Sequence, residues 1–141
     1  MLPKKYSQTK RQLKVRKSRA GLGLFTEQSI EKGGFVVEYT GQILTREEAD
    51  KKGGKYLFET SKNRFVDGTT RKNLARYINH GCRPNCEIEI EKGHVLVFAK
   101  RNIKAHEELS YDYDDEYFEA YIKPNGCKCD KCLNKRVKIN K

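Results

Sequence analysis

The stretch N-H-G-C-R-P-N-C, Asn79 to Cys86, concentrates chemistry that the rest of the chain uses sparingly. It holds two of the five cysteines and one of the three histidines, with Pro84 fixing the backbone between them. The other three cysteines follow some forty residues later, in C-K-C-D-K-C, Cys127 to Cys132. Cys127, Cys129 and Cys132 give C-x-C-x2-C, three soft ligands within six residues. A closed structural zinc site takes four ligands, so one must come from elsewhere. Cys82 and Cys86 are the candidates, and a metal would then pin the end of the chain onto the N-H-G-C loop. The bland alternative is a set of incidental buried thiols.

Length and composition frame that reading. At 141 residues the chain suits one domain with a modest core, and 36% hydrophobic content fits a folded protein. No apolar run approaches the ~20 residues of a membrane span, so no membrane role is expected. The opening M-L-P-K-K-Y-S-Q-T-K lacks the apolar core of a secretory signal. An intracellular, reducing setting is therefore expected, where clustered cysteines favour metal over disulfides.

The net charge of +11 sits at the ends. Residues 1–19 carry eight Lys/Arg and no acid, and residues 123–141 carry seven against Asp130 alone, which leaves the body at about −3. The ends are either solvated charge or contacts to a polyanion such as DNA or RNA. Residues 107–119 carry seven acids and no base, a stretch that would attract a basic partner.

The hydrophobic pattern predicts a β-rich fold with brief helices and no βαβ alternation. Gly34 to Tyr39 reads as a buried strand. Thr45 and Glu48 have capping-box spacing at the head of a short helix that Gly53-Gly54 ends. Y-L-F-E and R-F-V-D-G are short strand pieces. Arg71 to Asn79 reads as about two helical turns. C-E-I-E-I-E alternates and H-V-L-V-F-A-K is continuously apolar, which with K-G between them predicts a hairpin. E-L-S-Y-D-Y is a further strand.

Three other features allow two readings each. G-L-G, Gly21 to Gly23, is either a tight turn before a strand or a close backbone approach to a ligand. Tyr111, Tyr113 and Tyr56 are either core aromatics or phenols aimed at a site; alternation puts the first two on one strand face. His80 is either a catalytic base or a residue that positions backbone.

Together these pieces resemble the SET-domain protein lysine methyltransferases, from about Arg19 to Cys132. G-L-G-L-F is similar to the family's G-x-G segment, and R-Y-I-N-H-G-C-R-P-N-C to R-F-I-N-H-S-C-x-P-N-C. E-E-L-S-Y-D-Y is similar to E-E-L-T-Y-D-Y, and the cysteine cluster to the post-SET zinc motif. All four stand in family order.

The resemblance implies a mainly β fold, small sheets around a pseudoknot, divided as a basic arm (1–18), a SET domain (19–118) and a post-SET zinc tail (119–141). It implies S-adenosyl-L-methionine as cofactor, with S-adenosyl-L-homocysteine as product. Ala20, Gly21, Leu22 and Gly23 would lie along the cofactor. Asn79 and His80 would hold its ends, with Arg76 in support. Tyr113 matches the catalytic tyrosine, which also touches the cofactor. Tyr56 matches the tyrosine lining the lysine channel, and Tyr111 the position that limits how many methyls are added. Cys82, Cys127, Cys129 and Cys132 would hold one structural zinc, leaving Cys86 spare.

The expected partner is a lysine-containing basic protein such as a histone, met by a monomeric enzyme adding mainly one methyl, or two. Nucleic acid at the basic ends is a further expectation. The expected location is nucleus or chromosome in a eukaryote, and cytoplasm or a secreted effector in a bacterium. Gly81 replaces the family's serine, a small-for-small change expected to be harmless. The tail's x2 spacing departs from a common x4, and no cysteine-rich segment precedes the body, which suggests a minimal enzyme. The rival reading is a non-catalytic SET-fold or zinc module that binds nucleic acid or basic peptides. The zinc module accounts for the charge and the cysteines but leaves G-L-G, N-H and Y-D-Y unexplained, and the intact Asn79, His80 and Tyr113 argue against a catalytically silent SET fold.

Overall fold

The computed structural model describes residues 12–19 and 21–113. The strands form four small sheets. β1 (Leu13–Ser18) pairs antiparallel with β2 (Gly21–Thr26). β1 lies inside the stretch whose charge marks it as an arm. Leu13 is buried while Lys14 to Lys17 face solvent, so one anchor holds a strand whose composition reads as polar.

A second sheet has the order β3-β9-β8, with β3 at Phe35–Tyr39, β8 at Cys86–Glu91 and β9 at His94–Ala99. β8 and β9 are the expected hairpin, in register from Cys86 opposite Ala99 to Glu91 opposite His94. Lys92 and Gly93 turn it with φ of 51° and 82°. Positive φ at both positions is the turn geometry that matches strand twist, and glycine takes it without strain. One face of this sheet supplies Val37, Val95, Val97 and Ala99 to the main core, beside Leu24, Ile78, Ile103 and Leu109. Each buried Leu or Ile of that kind contributes about 1.5–3 kcal/mol.

The third sheet, β4-β6-β5, joins Gln42–Leu44, Arg64–Asp67 and Leu57–Ser61. Helix α1 (Arg46–Lys52) packs on it through Ala49. Its capping box is formed: Thr45 Oγ1 accepts from the Glu48 backbone N–H at 3.2 Å, and the Glu48 carboxylate accepts from the Thr45 N–H at 3.0 Å. At its far end Lys52 reaches the buried carboxylate of Asp67, which Thr69 also bonds at 2.6 Å through its hydroxyl. Burial alone would raise the Asp67 pKa, but Lys52 and Thr69 outweigh it and hold the carboxyl below its ordinary 3.8. A depressed folded pKa means stability that is present above 3.8 and lost as pH falls through the lower folded value. Asp67→Asn should therefore lose about 1–3 kcal/mol at neutral pH. It should also flatten the acid limb of stability, and urea melts at pH 7 and in acid check both. An unchanged acid limb would remove Asp67 from the account.

Two expectations are corrected. Arg71 to Asn79 is not two helical turns but one 3-10 turn, Leu74–Tyr77. The Asn73 side chain is turned into the interior. There it accepts from the Thr40 N–H at 3.0 Å and donates to the Gly68 carbonyl at 3.1 Å. The strand expected over E-L-S-Y-D-Y is only β10, Ser110–Tyr111, which pairs in parallel with β7, Asn79–His80.

The loop from β7 to β8 closes over β10. Asn85 is 2% exposed and donates to the Glu108 carbonyl at 2.8 Å, while its Oδ1 accepts from the Ser110 N–H at 2.9 Å. On the other side of the same segment, the Leu109 N–H donates to the Leu24 carbonyl at 2.8 Å. Glu108 to Tyr111 is thus held between β2 and the Asn79–Cys86 loop, in keeping with the pseudoknot that the resemblance implies.

Candidate functional site

β7 and β10 place the two central motifs side by side. The Tyr113 N–H donates to His80 Nδ1 at 3.1 Å, and the two rings meet edge to face with centroids 5.4 Å apart. Because Nδ1 accepts, the neutral ring carries its hydrogen on Nε2, which faces Cys82 Sγ at 3.3 Å. The His80 side chain is only 5% exposed, and burial lowers its pKa while Asp112 pulls it the other way. Of its two readings, the brace between the N-H loop and Y-D-Y is the one its hydrogen bonds describe.

Tyr113 is fixed from three directions. Its hydroxyl donates to the Ile78 carbonyl, its backbone is tied to His80, and its ring lies 4.7 Å from that of Tyr111. Tyr111 and Tyr113 face a cavity of about 290 Å³ that Tyr39, Tyr56 and Phe58 also line. Tyr39 Oη donates to the Tyr56 carbonyl at 2.7 Å, which fixes the segment carrying Tyr56. All three expected channel tyrosines therefore meet in one cavity.

Arg76, expected to support the cofactor, lines this cavity. Its guanidinium lies 4.4 Å from the Tyr56 ring centre and 5.1 Å from that of Tyr77, a cation–π arrangement. The guanidinium also donates to the Thr69 carbonyl. Glu59 and Asp112 bring negative charge to the lining, and Lys55 lies 5.3 Å from the Tyr56 ring centre. The sequence pattern of aromatics gave no sign of these charges.

On the other side of β7, Asn79 Nδ2 donates to the Leu22 carbonyl at 3.0 Å and to Glu108 Oε2 at 2.9 Å. Ser18 Oγ donates to the same carboxylate at 2.8 Å. G-L-G is not a tight turn: it opens β2, with Leu22 52% exposed and no atom within 4 Å of where a Gly21 side chain would start. An open glycine backbone edged by an asparagine amide suits a ligand rich in hydrogen-bonding groups. Ala20 lies outside the described residues.

Among the described residues no three His, Cys, Asp or Glu side chains gather to hold a metal. Cys82 is half-buried beside His80, while Cys86 is 1% exposed and burial pushes its thiol pKa up to about 12. Of the two, Cys82 is the thiol with surface still open to solvent. Cys127, Cys129 and Cys132 lie outside the described residues. Gly81 is fitted to its neighbour, since a Cβ there would stand 2.9 Å from Ser110 Cβ. Putting the family's serine back would crowd β10.

Known proteins share both the sequence and the shape. The chain is 39% identical over 125 residues to the Histone-lysine N-methyltransferase trr of Drosophila melanogaster, covering 79% of this chain and 5% of that protein. It is 40% identical over 105 residues to a Histone-lysine N-methyltransferase, H3 lysine-4 specific, of Schizosaccharomyces pombe, covering 65% of this chain and 11% of that one. The chain thus spans a small part of the curated relatives it matches. A crystal structure of the Chaetomium thermophilum polycomb repressive complex 2 superposes with a TM-score of 0.67 at 32% identity, over 73% of this chain and 15% of that one. Residues 21–114 match the SET domain, and with Glu108 to Tyr111 so held and the paired N-H and Y-D-Y segments in place, the chain belongs to the SET domain family.

Proposed function

We propose that this chain is an S-adenosyl-L-methionine-dependent protein lysine N-methyltransferase that acts on a histone or another basic protein and adds mainly one methyl. The convergence of Tyr56, Tyr111 and Tyr113 on one cavity, with Tyr111 on the strand that pairs with Asn79–His80, carries the proposal. The cofactor, when bound, supplies a methyl group on a sulfonium. Asn79, the Gly21–Gly23 backbone and His80 are the residues that would hold it.

The chain's own part is to deliver a neutral amine in line. Free lysine, with pKa ~10.4, is neutral about once in a few thousand molecules at pH 7. Apolar walls disfavour the ammonium, and the Arg76 cation beside the Tyr56 ring adds to that. Asp112 brings negative charge toward a basic peptide at the same cavity, while the Glu59 carboxylate there is paired with Arg46. Tyr113 donates its own hydroxyl hydrogen to Ile78, so toward an amine its oxygen acts as an acceptor. Orientation of this kind supplies several kcal/mol of a barrier.

The domain reading goes with the function: a basic stretch over 1–18 whose Leu13–Ser18 is built into the first sheet, a SET domain over 19–118 and a zinc tail over 119–141. Cys82 with Cys127, Cys129 and Cys132 would hold that zinc, whose role is to order the tail.

Labelled S-adenosyl-L-methionine and a lysine-rich histone peptide test the proposal: the unmodified protein transfers label to lysine, and its absence overturns the reading. Product number tests the finer part. The Tyr111 hydroxyl can hold a water where a second methyl must go, and displacing an ordered water costs up to ~2 kcal/mol. A difference of about 1.4 kcal/mol already changes a relative rate tenfold. Tyr111→Phe should therefore shift products toward di- and trimethyl-lysine, as read by mass spectrometry. Efficient trimethylation by the unmodified protein would show that the Tyr111 hydroxyl sets no limit.

A further inference from the structure

Glu108 belongs by sequence to a run of acids, yet its side chain is turned inward onto the glycine segment. Oε1 and Oε2 both lie 2.8 Å from Ser18 Oγ, and Oε2 accepts from Asn79 Nδ2 at 2.9 Å. A Cβ on Gly23 would stand 2.3 Å from Glu108 Oε2 and 2.9 Å from Ser18 Cβ. The room that glycine leaves at position 23 is therefore taken by this carboxylate. The second glycine of G-L-G is explained by a partner within the chain.

We infer that Glu108 is the positioning residue that fixes the Asn79 amide and, through it, the cofactor face; the inference rests on the proposed methyltransferase reading. Of the three groups facing Asn79 Nδ2, the Leu22 carbonyl and the Glu108 carboxylate only accept hydrogen bonds, and Ser18 Oγ at 3.4 Å directs its own hydrogen to Glu108. Both amide hydrogens are consumed, and the side chain cannot flip without setting oxygen against oxygen. Asn79 Oδ1 is thereby turned away from them as an acceptor of fixed direction. That is the group a ligand bearing an ammonium and an aromatic amine needs. Glu108 thus ties β1, β2 and β7 to the segment leading into β10 at the point where the cofactor would bind.

Calorimetric binding of S-adenosyl-L-methionine, with thermal unfolding of the same variants, tests this. Glu108→Ala should weaken binding about tenfold through loss of coupling to Asn79. Glu108→Gln should recover most of that loss, because its carbonyl still accepts from Asn79 and its amide can donate to Ser18 Oγ. Gly23→Ala should weaken binding in the unmodified background and add much less beside Glu108→Ala, the remainder coming from Ser18 Cβ. Binding within twofold of normal in Glu108→Ala overturns the inference. So does a full additional loss from Gly23→Ala in that background, because the ligand and not Glu108 would then exclude the side chain. If the unmodified protein binds no cofactor, the methyltransferase reading fails separately. The Glu108→Ala and Asn79→Ala cycle in unfolding temperature then decides: non-additive losses uphold the pairing, and additive losses overturn it.

Discussion

Tyr113→Phe is expected to lower methyl transfer by at least a hundredfold while cofactor binding stays within threefold. The substitution keeps the ring, so its contacts with His80 and Tyr111 survive and the fold loses about 1 kcal/mol for one hydrogen bond. What disappears is the oxygen that the Ile78 carbonyl holds in one orientation. Removing one preorganised polar group of this kind costs about 3 kcal/mol in the transition state. Single-turnover transfer to a lysine peptide, beside calorimetric binding of S-adenosyl-L-methionine, separates the two effects. Activity within tenfold of normal would take the catalytic role away from Tyr113.

Asn79→Ala should act on the other half of the reaction. The change removes the donor to Leu22 and Glu108 and the acceptor aimed at the cofactor, and strips one partner from a half-buried carboxylate. A loss of cofactor affinity of a hundredfold or more is expected, about 2.8 kcal/mol. The strands should persist, because the core beneath rests on Leu24, Ile78 and Leu109. Circular dichroism would show an unchanged spectrum while calorimetry shows the lost binding. Unchanged affinity would remove the N-H segment from the cofactor site.

How much of this was legible in the chain depends on how local each cause is. The β8–β9 hairpin announces itself, because alternation, an apolar run and Lys92-Gly93 all lie within fourteen consecutive residues. The Thr45–Glu48 capping box is equally local. The 3-10 turn at Leu74–Tyr77 is not, since what shortens it is Asn73 reaching Thr40, 33 residues away. β10 stops after Tyr111 because Tyr113 turns its N–H to His80, again 33 residues distant. β1 is masked by its lysines and arginines, with only Leu13 buried. The tyrosines were found by motif, but Glu108 was read as charge because its partner Ser18 lies 90 residues away. The stacking of the Arg76 guanidinium on Tyr56 was not legible either, because the two residues are twenty apart in sequence.

The parallel pairing of β7 with β10 also has a consequence in time. Asn79 lies opposite Ser110, and Ser18, whose hydroxyl binds Glu108, precedes both by most of the described chain. A ribosome making ~5–20 residues per second would deliver the last of these residues several seconds after the first. The hairpins can close as they emerge, because each joins neighbours in sequence. The cofactor face cannot, since its strands meet only after a long loop has been closed. A nascent chain lacking Tyr111 and Tyr113 would therefore carry folded hairpins without the tyrosine-lined cavity, so the proposed site is completed late.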